Sequence, residues 1–136
     1  PQPGLHSGLM ITQYTAAACV NELAHLASPA TVTNIPTCAG MEDYNSIGPL
    51  SARKATRAVE LCRTVVAIEL LCAAQGMEFQ RPLRSGDAVE RAIAMVRERV
   101  PALEADRPPA PDIAALEGLI ISGGLSTVAA APQSGE

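Results

Sequence analysis

Tryptophan is absent from the 136-residue chain, and two tyrosines and one phenylalanine are all the aromatic side chains it has. The large rings with which a lone globule of this size ordinarily fills its centre are therefore missing. Apolar residues still make up 48% of the sequence, and Ala, Leu, Val and Ile carry that share. Small aliphatic side chains without sustained period-two alternation favour closely packed helices over a sheet. Positive charge is also short. Fourteen Asp and Glu outnumber ten Lys and Arg, for a net charge of −4, which leaves no basic field for nucleic acid or an anionic membrane. The four cysteines, Cys19, Cys38, Cys62 and Cys72, form no Cys-x-x-Cys pair, and only two histidines accompany them, so a metal site has no support. Three of the four lie in apolar helical runs, which predicts reduced, buried thiols acting as small hydrophobes. The start, Pro1-Gln2-Pro3-Gly4, has neither a leading Met nor the charged opening of a signal peptide. The expectation is a cytoplasmic polypeptide that is part of a longer protein, cut or separately encoded.

No run reaches the roughly 20 predominantly apolar residues that cross a bilayer, because Thr12, Gln13, Thr15, Asn21 and Glu22 interrupt the first candidate. Residues 9–27 instead predict a helix rich in alanine. Having no charge before Glu22, it should be surrounded by protein. Ser28-Pro29 ends it, since proline disfavours the helical region for the residue before it. Residues 31–46 keep neither helical nor strand period and predict a long loop, a kind of segment that is often functional. Gly48-Pro49 opens a second helix over residues 50–75, about 40 Å long, with proline tolerated in the first turn. Its first half is charged through Arg53, Lys54, Arg57, Glu60 and Arg63, whereas Val65 to Ala74 contains Glu69 as its one polar residue. A chain this short cannot enclose such a rod, so other polypeptide must cover it. A buried carboxylate needs a partner, so Glu69 is expected to meet an Arg or a hydroxyl. After a connector over residues 81–86, Asp87 and Glu90 fit a capping box for a third helix with Val89, Ala92, Ile93, Val96 and Val100 on one stripe. Pro108-Pro109-Ala110-Pro111 predicts a stiff extended spacer, and Asp112 opens a short helix over residues 113–121 stopped by Gly123-Gly124. There is no internal repeat. Residues 126–136 predict a flexible tail, which leaves residues 1–125 as the helical portion.

The most distinctive stretch is Thr37-Cys38-Ala39-Gly40-Met41-Glu42-Asp43, continued by Asn45-Ser46-Ile47-Gly48 and by Ser51-Ala52-Arg53-Lys54-Ala55. It sets a polar cluster at the mouth of the long helix. On residue types alone, Glu42 and Asp43 are two acids of a polar loop, and exposure is the ordinary state of an acid. Asn45 and Ser46 read as turn and cap residues, Tyr44 equally as packing or as a ligand contact, and Arg53 and Lys54 as a solvated face or a subunit contact. His6 and His25 have no partner pattern that would make a catalytic pair.

Those motifs resemble the C-terminal portion of the aromatic amino acid ammonia-lyases and the related aminomutases. Three further stretches agree in order: Pro3-Gly4-Leu5-His6-Ser7-Gly8-Leu9-Met10-Ile11, Ala67-Ile68-Glu69-Leu70-Leu71-Cys72-Ala73-Ala74-Gln75, and Arg107-Pro108-Pro109-Ala110-Pro111-Asp112. The resemblance implies an all-α fold, a bundle of long helices of the fumarase/aspartase-like superfamily, assembled as a homotetramer with active sites shared between subunits. It implies an enzyme that eliminates ammonia from an aromatic amino acid, or moves the amino group, with an electrophilic methylidene-imidazolone (MIO) built from Ala-Ser-Gly. That triad is not in this chain, so the group, the catalytic tyrosine loop and the carboxylate-binding arginine would belong to a missing N-terminal portion. What this chain would supply is Glu42 as catalytic and substrate-binding residue, with Met41 beside it in the pocket wall and Asp43 as a structural partner that bonds loop amides. Family members often carry Gln where Met41 stands. Glu42 is closer to the histidine-lyase branch than to plant phenylalanine lyases, which have Gln there. The rival from another class is a non-catalytic helical assembly module; a fumarase-like lyase lacks its flexible signature loop here.

Overall fold

The computed structural model describes residues 4–126 and 128. The described residues hold four α-helices and no β-strand: α1 (Met10–Leu26), α2 (Gly48–Glu78), α3 (Asp87–Arg97) and α4 (Ala110–Ile121). The all-helical expectation stands. Apart from 126 and 128, the tail expected over residues 126–136 lies outside the described residues.

The spine is α2. Its 31 residues make a rod about 46 Å long, begun with Pro49 in its first turn. α1 lies along α2, where Glu22 takes a two-pronged contact from Arg57, Nε to Oε1 at 2.7 Å and Nη2 to Oε2 at 3.1 Å. Lys54 reaches the carbonyl of Ser28 just past the end of α1. The core forms only on the later half of α2, where Leu61, Ala67, Ile68, Leu71 and Ala74 are buried. Their three-to-four-residue spacing aligns them on one face. Against it pack Val96 and Val100 from α3 and its end, and Ile113, Leu116 and Leu119 from α4. Gly123, at φ +71°, takes the left-handed conformation that ends α4. A Cβ on Gly124 would stand 2.8 Å from Leu119 Cδ1, so that side chain would have to shift to admit one.

The connector over residues 98–109 is held by polar staples. Gln75 pairs with the backbone of Leu103 on both edges, accepting its N–H at 2.8 Å and donating to its carbonyl at 3.3 Å. Arg107 donates to Asp112 Oδ2 at 2.9 Å and to the carbonyls of Pro101 and Ala102 at 2.7 and 3.2 Å.

Several expectations need correction. The proline-rich spacer is not extended: Pro109 is already in the right-handed helical region, and Ala110 and Pro111 lie inside α4. Proline's fixed φ suits a first helical turn as well as an extended segment. The capping box is half formed. Gly86, not Asp87, is the N-cap, with no side-chain cap bond, while Glu90 accepts the Ser85 N–H at 2.8 Å and ion-pairs with Arg81 at 3.0 Å. Val89 falls off the buried stripe at 47% exposure. Glu69 is exposed and meets neither an Arg nor a hydroxyl among the described residues. The cysteines are free, but Cys38, Cys62 and Cys72 are exposed and Cys19 is half-buried. Within this chain Thr12 is the one buried residue of α1. Within this chain the outer faces of α1 and α2 remain open, Val59 at 64% and Val66 at 44% exposure among them.

Candidate functional site

Residues 34–47 form a braced loop at the N-terminal mouth of α2. Thr37 is extended, and the next three residues turn through positive φ: Cys38 at +53°, Ala39 at +53° and Gly40 at +86°. Two of these carry a Cβ, and holding a non-glycine residue there costs about 1–2 kcal/mol each, so the surrounding bonds must over-determine the turn. They do. Thr37 and Glu42 form an isolated antiparallel bridge, the Thr37 N–H donating to the Glu42 carbonyl at 2.8 Å and the Glu42 N–H to the Thr37 carbonyl at 3.3 Å. The Gly40 N–H also donates to the Thr37 carbonyl, at 3.1 Å.

A second layer of bonds grips the base of the loop. Asn45 Nδ2 donates to the Ile35 carbonyl at 2.7 Å, and its Oδ1 accepts the Thr37 hydroxyl at 2.8 Å. Asn34 answers from the other strand of the loop, accepting the Asn45 N–H at 3.1 Å and donating to the Asn45 carbonyl at 3.0 Å. The turn reading of Asn45 is right in kind. Ser46 is not a cap, since α2 has Ile47 at its N-cap position and no side-chain cap bond.

The polar cluster that this frame carries is open. Met41 is 83% exposed, Tyr44 is 64% exposed, and Glu42 and Asp43 are exposed as well. Neither the Glu42 nor the Asp43 carboxylate makes a hydrogen bond or ion pair among the described residues, so Asp43 does not bond the loop amides as expected of a structural neighbour. Glu42 thus combines a backbone held by two bonds to Thr37 with a carboxylate whose acceptor positions are all free for another group. Arg53 and Lys54 stand on the following turns of α2, Lys54 committed to Ser28.

A separate hollow of about 330 Å³ lies at the opposite end of α2, lined by His6, Leu9, Cys72, Gln75, Phe79, Leu103 and Asp106 among others. Along α2, Cys72 is 24 residues beyond Gly48, some 36 Å at the helical rise, so this hollow does not share a site with Glu42. Asp106 closes one side of it, accepting the Ser7 and Gly8 N–H groups at 2.8 and 2.9 Å. Those two amides hold its carboxyl below the usual aspartate range, with His6 nearby adding to the effect. No sequence signal pointed to Asp106, because its partners are nearly a hundred residues away. The Asn34–Asn45 clasp has no sequence signature either: two asparagines eleven apart have no periodic relation. Among the described residues no group of His, Cys, Asp or Glu is arranged to hold a metal ion, and no helix is long and apolar enough to cross a membrane.

Comparison with known proteins places these features in context. Residues 1–98 match the profile of the aromatic amino acid lyase family. The chain is 53% identical over 122 residues to a histidine ammonia-lyase of Symbiobacterium thermophilum, an alignment covering 90% of this chain and 24% of that protein. Its fold superposes with a TM-score of 0.90 on the crystal structure of histidine ammonia-lyase from Trypanosoma cruzi, at 41% identity over 94% of this chain and 25% of the other. It superposes with a TM-score of 0.89 on tyrosine aminomutase from Streptomyces globisporus, at 31% identity over all of this chain and 26% of the other. The chain spans about a quarter of the length of these relatives.

Proposed function

The chain belongs to the aromatic amino acid lyase family, and from that premise we propose that it is the C-terminal helical portion of a histidine-ammonia-lyase-like enzyme, to whose substrate pocket it contributes Glu42. The observation that carries this reading is the pairing at Glu42 of a doubly bonded backbone with a carboxylate that has no partner among the described residues. A carboxylate so presented accepts a charge-assisted hydrogen bond from a substrate ammonium, imidazole or phenol. Close to the reacting carbon, it can also hold or pass a proton. Met41, the residue before it and 83% exposed, offers a thioether that packs well against an aromatic ring.

The complete enzyme needs more than these residues. No Ala-Ser-Gly occurs in the 136 residues, so this chain cannot form the family's methylidene-imidazolone, and its own part is confined to binding, orienting and proton exchange at Glu42. The partners are an aromatic amino acid, the polypeptide that completes the pocket, and further copies that cover α1 and α2 in a homotetramer. The isolated chain should be inactive. Its turnover of histidine, phenylalanine or tyrosine, followed by absorbance of the unsaturated acid, would overturn the reading. In the complete enzyme, Glu42→Gln should lower kcat/KM by about 100-fold or more.

Two other readings have support. The likeness to tyrosine aminomutase admits transfer of the amino group within the substrate; product analysis separates a β-amino acid from free ammonia and an unsaturated acid. The open apolar faces of α1 and α2 admit a non-catalytic assembly module, for which Glu42→Ala would leave kcat/KM in the completed protein nearly unchanged.

A further inference from the structure

We infer that Asn45 is a positioning residue for Glu42, acting through Thr37, an assignment that rests on the role given to Glu42 above. The route is continuous in hydrogen bonds. Asn45 is itself fixed from three directions, by the Asn34 amide at its backbone on both edges and by the Ile35 carbonyl at its Nδ2. Its Oδ1 then receives the Thr37 hydroxyl at 2.8 Å, and the Thr37 backbone holds the Glu42 backbone through two bonds of opposite sense. Between Thr37 and Glu42 the chain runs through three residues of positive φ, two of them not glycine. Left to itself, a turn of that kind relaxes toward negative φ, and the Glu42 Cα would move with it.

No residue from 13 to 60 is fully buried within the chain, so this hydrogen-bond route runs outside the apolar core. The backbone position from which the Glu42 side chain leaves the loop is thus held through an amide and a hydroxyl that make no bond to its carboxylate. Asn45 stands apart from the residues proposed to meet the substrate, and its effect should appear only while Glu42 has work to do.

The test has two arms. In the complete enzyme, Asn45→Ala and Thr37→Val should each lower kcat/KM by about ten- to a hundredfold, the scale for a misplaced catalytic group, mainly through kcat. Thr37→Ser, which keeps the hydroxyl, should stay near the parent. In a Glu42→Gln background, Asn45→Ala should cost nothing further. An equal loss in both backgrounds, or no loss in either, overturns the assignment. If Glu42→Gln itself leaves turnover unchanged, the reading of Glu42 falls instead. The second arm then still judges the brace: amide hydrogen exchange in the 136-residue chain should be about tenfold faster at Glu42 in Asn45→Ala and Thr37→Val than in the parent and Thr37→Ser. Unchanged exchange in both variants overturns the hydrogen-bond route.

Discussion

The two halves of α2 are the same helix under different regimes. From residue 61 onward it buries Leu61, Ala67, Ile68, Leu71 and Ala74 against α3 and α4. Before that, and back through the loop to residue 13, nothing is buried. Polar clasps join its segments beside half-buried apolar contacts: Glu22 with Arg57, Lys54 with Ser28, Asn34 with Asn45, Thr37 with Glu42. The contrast teaches where each half finds its stability. Apolar burial carries its own weight in water. Exposed hydrogen bonds and ion pairs exchange with solvent and contribute little net, so the first half owes less of its stability to this chain than the second half does. Placing Glu42 in that half puts the proposed chemistry on the surface that other polypeptide would cover.

The comparison is open to direct attack. Leu116→Ala, at a position with 0% exposure, should destabilise the chain by about 2–5 kcal/mol, seen as an earlier midpoint in denaturant. Gln75→Ala, which frees both edges of Leu103, should cost about 1–2 kcal/mol and loosen the connector in hydrogen exchange. Val59→Ala, at 64% exposure, should fall within about 0.5 kcal/mol of the parent in this chain alone. A loss there comparable to that at Leu116 would show that the first half has a core of its own. In the completed assembly the same change should become costly, which sharpens the contrast.

The smallest effect concerns acid. Asp106 is held below the usual aspartate value of 3.8, first by the Ser7 and Gly8 N–H groups. A depressed folded-state value means that its contribution is fully present above about pH 4 and is lost as pH falls through that depressed value. The parent's advantage over Asp106→Ala should therefore be constant at neutral pH and vanish in acid. An advantage that persists unchanged at pH 2 would show that the carboxylate's charge is not what binds the two amides.

Much of the scaffold was legible. Residues 9–27 and 50–75 were expected as helices and became Met10–Leu26 and Gly48–Glu78, because alanine-rich and apolar runs bounded by proline leave few alternatives. The third helix was readable from its stripe, although Val89 left it. The failures are of one type. Pro109 entering the helical region, Gly86 displacing Asp87 as N-cap and Glu69 standing in solvent each depend on what lies beside the residue in space. The candidate site divided the same way: its location and the candidacy of Met41 and Glu42 came from motif, while the clasp beneath them came from a pairing that no spacing announces.

By itself, then, the sequence determined the helical class, the order of the four helices and the polar loop before the long one, since local propensity, proline placement and apolar spacing act over a few residues at a time. Tertiary structure alone decided which half of α2 would own a core and which side chains would brace the turn at Glu42. Burial and hydrogen bonding between distant segments exist only once those segments meet, and their energies belong to pairs rather than to positions.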